Sequence, residues 1–569
     1  MKNTIITFLS ILSLVFLNSC YELDTVPYDQ ISAGTFWKTE DHAKQAMMGV
    51  YEQMKNQYTF GTINLTDNLS DIAIGYDGQA YEAAANGSYT DRTNFVVNHW
   101  RSSFDGVQRA NSVIKNVSEM EIDETVKSNV IAEAKFMRAL YYFHLMDYYG
   151  GVPLYDETVD LNQDFNNLLE PRSSVEQVRA FILADLDAAI TGLPVEWPAA
   201  EYGRATKGAA YALRGKVYLY AQDWKNAIAD FEEIVYNKSN DYGYELSPDY
   251  ASLFKLEGHT HSEIIFAIQN KGGVGFNYGM PLAHYLGTRS TFGSSWNNGM
   301  PSTPLADMYE NLDGTPFNWN DYIPGFNEDN SVKEEALVAT HTSGTLTSIP
   351  DTALLGEIYR NRDPRMMQSL IVPYSYYLGW NANKPRLMQF VVATGVNENF
   401  GQIRNNKGWT TYFWRKFVPE ANLDGLITNR AHTPFNFPLI RYADVLLMLS
   451  EAYNEDGQLD KAVTELNKVR ERSNMPGLNS AAHLTVNGKE DMFERIMHER
   501  AVELAGEGHR FSDLRRWGLA KEMLNNKIEK GLTGANLFTR KFEDRDYLWP
   551  IPAQEIEVNP ELTQNPNWY

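Results

Sequence analysis

The chain is 569 residues long, carries a formal net charge of −23 and contains one cysteine. So acidic a surface repels nucleic acid and anionic headgroups, which excludes both as direct partners, and a lone thiol excludes a disulfide scaffold. The length allows a large core without cross-links, and 13% aromatic residues leaves rings for a surface that binds flat, partly apolar ligands.

Behind Lys2 an apolar run covers residues 5–17, long enough for the core of a secretion signal but short of the roughly 20 residues that span a bilayer. It ends in Leu17-Asn18-Ser19-Cys20, which resembles a bacterial lipoprotein box with Leu three positions before the cut and a small residue just before it, although Asn18 between them is unusual. Residues 1–19 are therefore expected to be a lipoprotein signal peptide and Cys20 the site of lipidation. The alternative is an ordinary cleaved leader followed by an incidental cysteine. Acyl chains contribute roughly 0.8 kcal/mol per buried methylene, so more than one gives stable attachment. The membrane is then reached through the lipid anchor alone.

A helix is expected over residues 131–149, stopped by Gly150, Gly151 and Pro153. Ser173 or Ser174 can cap the next, which runs towards Ile190 and closes at Gly192 and Pro194. A third covers residues 208–221, and Trp224 opens a fourth whose apolar positions Ala227, Ile228, Phe231, Ile234 and Val235 keep the 3.6-residue period. The pattern returns late in the chain, with Ala443, Leu446, Leu447, Ser450 and Tyr453 on one stripe and Leu459, Ala462, Val463, Leu466 and Val469 on the next, separated by Gly457. Such pairs resemble tetratricopeptide units. Between them, residues 241–436 are rich in Gly, Asn, Pro and Thr, with only short strand-like runs such as those at 263–269 and 386–393. The expected fold is mainly α: helix pairs form a scaffold, and a large loop-rich insert with short strands forms much of the ligand surface.

The segments that look catalytic or metal-binding have simpler readings. Glu499, Glu503 and Glu507 would repel one another on a continuous helix, and Arg500, Arg510, Arg515 and Arg516 lie close by to neutralise them, so a structural ion-pair network is expected. His498-Glu499 lacks the second histidine of a zinc-protease helix, because Val502 holds that position. His259 and His261 are two ligands without a third. Gly272, Gly273 and Gly275 have no phosphate-cradle spacing and read as a flexible loop beside a ligand site. No metal, cofactor or catalytic residue is assigned.

Several segments, in order, carry a family resemblance: LDTVPYDQISAGTFWKTEDHAKQAMMGVY, HWRSSFDGVQRAN, EAKFMRALYYFHLMDYYGGVPL, GRATKGAAYALRGKVYLY, FPLIRYADVLLMLSEAYNEDG, ERAVELAGEGHRFSDLRRWG and the tail LWPIPAQEIEVNPELTQNPNWY. Together they resemble the SusD/RagB family of outer-membrane nutrient-binding lipoproteins, departing from it in Asn567-Trp568 where a Gly is common. The resemblance implies one compact unit over residues 20–569, divided into an N-terminal helical part (20–240), the insert (241–436) and a C-terminal helical part with an extended tail (437–569). It further implies a surface-exposed lipoprotein of the outer membrane that captures oligosaccharides and delivers them to a SusC-like TonB-dependent transporter without cleaving them. Glu22 and Asp24 resemble the surface-export signals of the same bacteria. Two other readings are an oligopeptide ligand in the same role and a helical-repeat scaffold with no small ligand.

A pyranose offers an apolar C–H face to an aromatic ring and a rim of hydroxyls to amides, carboxylates or guanidinium groups. Rings in polar loops are therefore the candidates. Residues 71–91 supply Tyr76, Asp77, Tyr81, Asn86 and Tyr89, with Arg92 just beyond, and residues 277–322 supply Tyr278, Tyr285, Arg289, Trp296, Asn297, Asn298, Trp319 and Tyr322. The ligand-binding set is Trp296, Trp319, Tyr81, Tyr285, Tyr76, Asn297 and Arg92, led by the two tryptophans. Trp37, Trp100, Trp224 and Trp517 are expected in the core.

Overall fold

The computed structural model of the chain describes residues 36–159, 168–237, 241–343, 345–393 and 411–568. Cys20, Glu22 and Asp24 lie outside the described residues. Nine helices form the frame: α1 (Glu40–Glu52), α2 (Asn94–Ser118), α3 (Glu124–Tyr149), α4 (Val175–Gly192), α5 (Lys207–Tyr220), α6 (Trp224–Tyr236), α7 (Tyr442–Glu455), α8 (Leu459–Arg472) and α9 (Lys489–Glu503). From α2 onwards each packs on the next, and α6 packs directly on α7 although the whole insert separates them in sequence. The scaffold is mainly α, as the periodicity indicated.

Local chemistry explains the boundaries. Asp123 caps α3 by accepting the N–H groups of Thr125 and Val126, which starts the helix at Glu124, before its apolar stripe begins. Ser174 forms a reciprocal capping box with Gln177 at the head of α4. Small residues set the interhelical distance. A Cβ on Gly106 of α2 would lie 2.6 Å from the Tyr141 ring of α3, and one on Gly215 of α5 would lie 2.5 Å from the Phe231 ring of α6. Trp100 is buried, whereas Trp37, Trp224 and Trp517 lie half-buried against the core.

The insert is stitched to the frame at both ends. Among the strands that lie in it or pair with it are β1 (Ala73–Gly75), β2 (Ile264–Ile268), β3 (Gly299–Pro301), β4 (Tyr376–Asn381), β5 (Lys384–Gln389) and β6 (Phe437–Arg441). β2 pairs antiparallel with β6, so the strand that opens the insert lies against the one that closes it. β4 and β5 form a hairpin. The insert also holds short helices that its composition did not announce, among them Thr303–Met308 and Thr352–Arg360. Asp351 caps the latter, and its buried positions Leu355, Ile358 and Tyr359 are too few to stand out as a period.

Charge completes the lock. Glu499 and Glu503 lie on α9, which ends before Glu507; that residue follows in a turn between Gly506 and its neighbours. Arg365 of the insert reaches Glu499 at 2.6 Å and Glu503 at 3.0 Å, and Lys416 reaches Glu507 at 2.6 Å. Arg441 at the end of β6 reaches Glu507 at 2.7 Å and Glu503 at 3.1 Å. All these side chains are buried, and the arginines around Glu503 hold its carboxyl well below the usual range against the opposing effect of burial.

Candidate functional site

The pairing of β1 with β3, in the register Ala73↔Pro301, Ile74↔Met300 and Gly75↔Gly299, sets the two candidate stretches side by side. Directly beyond it, the Tyr76 hydroxyl donates to the Trp296 carbonyl at 2.6 Å, and the Asn298 amide donates to the Asp77 carboxylate. The Trp296 backbone N–H donates to the His284 carbonyl at 2.8 Å. His284 and Tyr285 share the short helix Leu282–Leu286. The His284 ring lies 4.6 Å from the Trp296 ring and 4.8 Å from that of Tyr285.

Arg430 closes the other side, its guanidinium 5.4 Å from the centre of the Trp296 ring system and one Nη donating to the Gly293 carbonyl at 2.7 Å. Burial, reinforced by this cation, lowers the His284 pKa to about 4, so the imidazole is neutral at pH 7 and can accept as well as donate. Burial and then the nearby Asp77 carboxylate push the Tyr285 hydroxyl upwards, which keeps it protonated as a donor. Trp296, Tyr285, Tyr76, Asp77 and Arg430 all retain part of their surface in solvent. Asn297 behind them is 1% exposed, with φ of 53°, and neither its amide nitrogen nor its oxygen has a partner.

Four of the seven candidates, Tyr76, Tyr285, Trp296 and Asn297, thus meet in one place. The other three do not present themselves there. Trp319 is only 5% exposed; it stacks on Phe326 at 4.3 Å, meets Phe317 edge-on at 5.2 Å and donates its indole N–H to Asp307 at 3.0 Å. Its polar sequence neighbours hid the fact that Phe326 and Tyr359 pack on it from further along the chain. Tyr81 underlies the cluster, 6% exposed, with Phe95 at 5.2 Å and Trp549 at 6.3 Å, so it has no free face for a sugar. Arg92 is exposed and pairs with Glu557 of the tail at 2.6 Å.

Sequence reading missed Tyr58, His284 and Arg430. Tyr58, half-exposed with its hydroxyl accepting from Asn94 at 2.9 Å, lies close enough to act electrostatically on Tyr285 and Tyr81. It sits in a polar loop with Gly61, the same signal that selected Tyr76. Arg430 had no such signal, because its role depends on a contact with residues 293–296. His259 and His261 each spend Nδ1 on a backbone N–H, that of Asn436 at 3.1 Å and that of Glu263 at 3.0 Å. Among the described residues no group of three or more metal-ligating side chains is gathered, and no helix is long and apolar enough to cross a membrane.

Comparison with known proteins bears on this arrangement. The profile described as the SusD family matches residues 262–568, and one described as starch-binding, associating with outer membrane, matches residues 23–219. The chain is 26% identical to SusD-like protein P25 of Formosa agariphila, over 96% of this chain and 95% of that one. It is 24% identical to the starch-binding protein SusD of Bacteroides thetaiotaomicron, over 84% and 78% of the respective chains. Among solved structures, a SusD-like carbohydrate-binding protein of Bacteroides fragilis superposes with a TM-score of 0.76 at 25% identity, covering 93% of this chain and all of that one. A laminarin-binding SusD-like protein superposes with a TM-score of 0.63 at 25% identity over the same shares. With more than half its length under the family profile and its helical frame shared with these structures, the chain belongs to the SusD family.

Proposed function

We propose that this protein is a cell-surface glycan-binding lipoprotein, anchored in the outer membrane by acyl groups on Cys20, which captures oligosaccharides and delivers them to a SusC-like TonB-dependent transporter. The observation that carries the reading is the Trp296 platform. An indole held by hydrogen bonds at its backbone on two sides, flanked by Tyr285 and rimmed by Asp77, His284 and Arg430, offers what a pyranose needs: a flat apolar face and planar polar groups at its edge. Because the platform is fixed before the ligand arrives, little ordering entropy is lost on binding. The names of the starch-binding relative and of the laminarin-binding structure point to the same ligand class. Ligand capture without turnover fits the fate of the acidic cluster, since Glu499, Glu503 and Glu507 are buried in ion pairs within the frame.

Affinity electrophoresis of the protein lacking residues 1–20, in gels containing laminarin or soluble starch, tests the reading. Retardation of the parent and its loss in Trp296→Ala is the expected result. Binding to a peptide pool with no retardation in any glycan gel would replace the ligand class by oligopeptides, and release of reducing ends by the pure protein would make it an enzyme. Incorporation of labelled palmitate into the full chain, abolished by Cys20→Ala, tests the anchor. Co-purification of a β-barrel partner from membranes tests delivery.

A further inference from the structure

Exposed aromatic and apolar side chains gather at a second place that no motif marked. Met48 and Tyr202 are each 46% exposed, Phe276 39% and Tyr278 52%. Met48, Tyr51, Lys55, Tyr202 and Gln269 line a groove of about 260 Å³, with Glu52 at its edge. Lys55 ties the loop of Phe276 and Tyr278 to this wall: its ammonium donates to the Tyr278 carbonyl at 3.0 Å and lies 5.5 Å from the centre of the Tyr278 ring.

The groove is rigidly built. Gly203, at φ of 96°, lets the Tyr202 loop press against Gln269, where a Cβ would come within 2.5 Å of its side chain. The next residue, Arg204, lies 3.6 Å over the Trp197 ring and donates to the fully buried Glu133 at 2.6 Å. Trp197 in turn donates to the Ala205 carbonyl at 2.7 Å, and the Ala205 N–H donates to the Tyr51 hydroxyl at 2.9 Å. An exposed ring braced from behind by an ion pair and two hydrogen bonds is a preformed contact surface.

We infer that this groove is a second carbohydrate subsite, in which Tyr202 and Tyr278 stack on sugar rings while Glu52, Lys55 and Gln269 bind their hydroxyls. The inference rests on the glycan-binding reading given above and deepens it, because it sets the ligand's length. Lys55 stands on the groove wall, and Tyr58, three residues later, lies within electrostatic reach of Tyr285 in the Trp296 cluster; no more than about 11 Å of backbone separates Lys55 from Tyr58. A ligand that occupies both is an extended chain of several sugars. The lining favours a sugar over a docked protein, because the buried centres of protein interfaces are depleted of charge, whereas here a carboxylate, an ammonium and an amide stand among the rings.

The test compares Tyr202→Ala, Tyr278→Ala and Tyr202→Phe with the parent lacking residues 1–20 in gels of laminarin and of soluble starch. Each alanine variant is expected to weaken retention roughly two- to tenfold, the range of one aromatic contact, in whichever glycan retards the parent. Tyr202→Phe keeps the ring and is expected to retain most binding. Unchanged retention in both alanine variants, with Trp296→Ala still impaired, overturns the second subsite alone. A parent retarded by neither glycan fails the underlying reading, and this inference falls with it. Unchanged retention combined with loss of a co-purifying membrane partner from the full-length variants identifies the groove as a protein interface and also overturns the inference.

Discussion

Glu503→Gln tests whether charge locks the insert onto the helical frame. Oε1 of Glu503 accepts from Arg472 at 2.5 Å and Arg441 at 3.1 Å, and Oε2 accepts from Arg365 at 3.0 Å, all with buried side chains. Removing one partner of a buried pair costs about 3–5 kcal/mol, because the remaining charge cannot be rehydrated. Here the loss belongs at the lower end, about 3 kcal/mol, since each arginine keeps another carboxylate: Arg365 has Glu499 and Asp363, Arg441 has Glu507 and Glu263, and Arg472 has Glu263. The pH dependence supplies a second readout. The Glu503 carboxyl is held well below its ordinary value of 4.5, so its contribution is complete above the unfolded-state pKa and is lost as pH falls below it. Urea unfolding followed by tryptophan fluorescence should show the variant less stable at pH 7, with the gap to the parent narrowing as the solution is acidified below 4.5. A variant within about 0.5 kcal/mol of the parent at pH 7, or one that loses stability in acid as steeply as the parent, would refute the reasoning, because surface-like changes fall in that range.

Two further substitutions separate the platform from the core. Tyr76→Phe removes the hydroxyl that donates to the Trp296 carbonyl; a hydrogen bond of net worth about 0.5–1.5 kcal/mol predicts roughly two- to tenfold weaker glycan retention with the fold intact by circular dichroism. Trp319→Ala takes a buried indole from between Phe326 and Phe317 and should cost about 3–5 kcal/mol in urea unfolding, while retention in the glycan gel, measured where the variant is still folded, stays at the parental level.

The helical frame was legible because its signals are local. Apolar spacing fixes α5 to α8, Ser174 and Gly150 mark helix ends, and Gly457, at φ of 81°, makes the turn between α7 and α8 that the sequence suggested. Even the departure at Asn567 is explained: its φ of 67° is a conformation that Gly adopts freely and Asn tolerates best among the other residues. α2 was less legible, since its buried face includes His99, Ser103, Gly106 and Asn111, which disguise the stripe. The site was half legible. Local polarity identifies loops, but burial is decided by residues remote in sequence. Trp296 and Trp319 have similar neighbours along the chain, yet the first lies just beyond a buried strand pair with part of its own surface in solvent and the second is covered by Phe326 and Tyr359.

What distinguishes these two tryptophans physically is the state of the polar groups around them. Trp319 itself is satisfied: the indole N–H has Asp307, one ring face stacks on Phe326, and Phe317 and Tyr359 meet it edge-on. Beside Trp296, buried amide groups are left unpaired. Asn297 is the residue, among those described, whose side-chain amide is buried with both nitrogen and oxygen unpaired; the Asn298 oxygen is unpaired too, and each orphaned group costs about 1–3 kcal/mol. Left-handed backbone at Ser294 and Asn297 adds strain, although that feature alone decides nothing, since Phe417 and Leu423 share it away from the cluster. The conjunction matters. Folding tolerates unpaired donors and acceptors, a neutralised imidazole and a strained turn where something other than stability selects them, and all of these converge on Trp296, which of the two tryptophans keeps part of its surface in solvent. The cost borne in that loop is therefore independent support for placing ligand capture at Trp296 and not at Trp319.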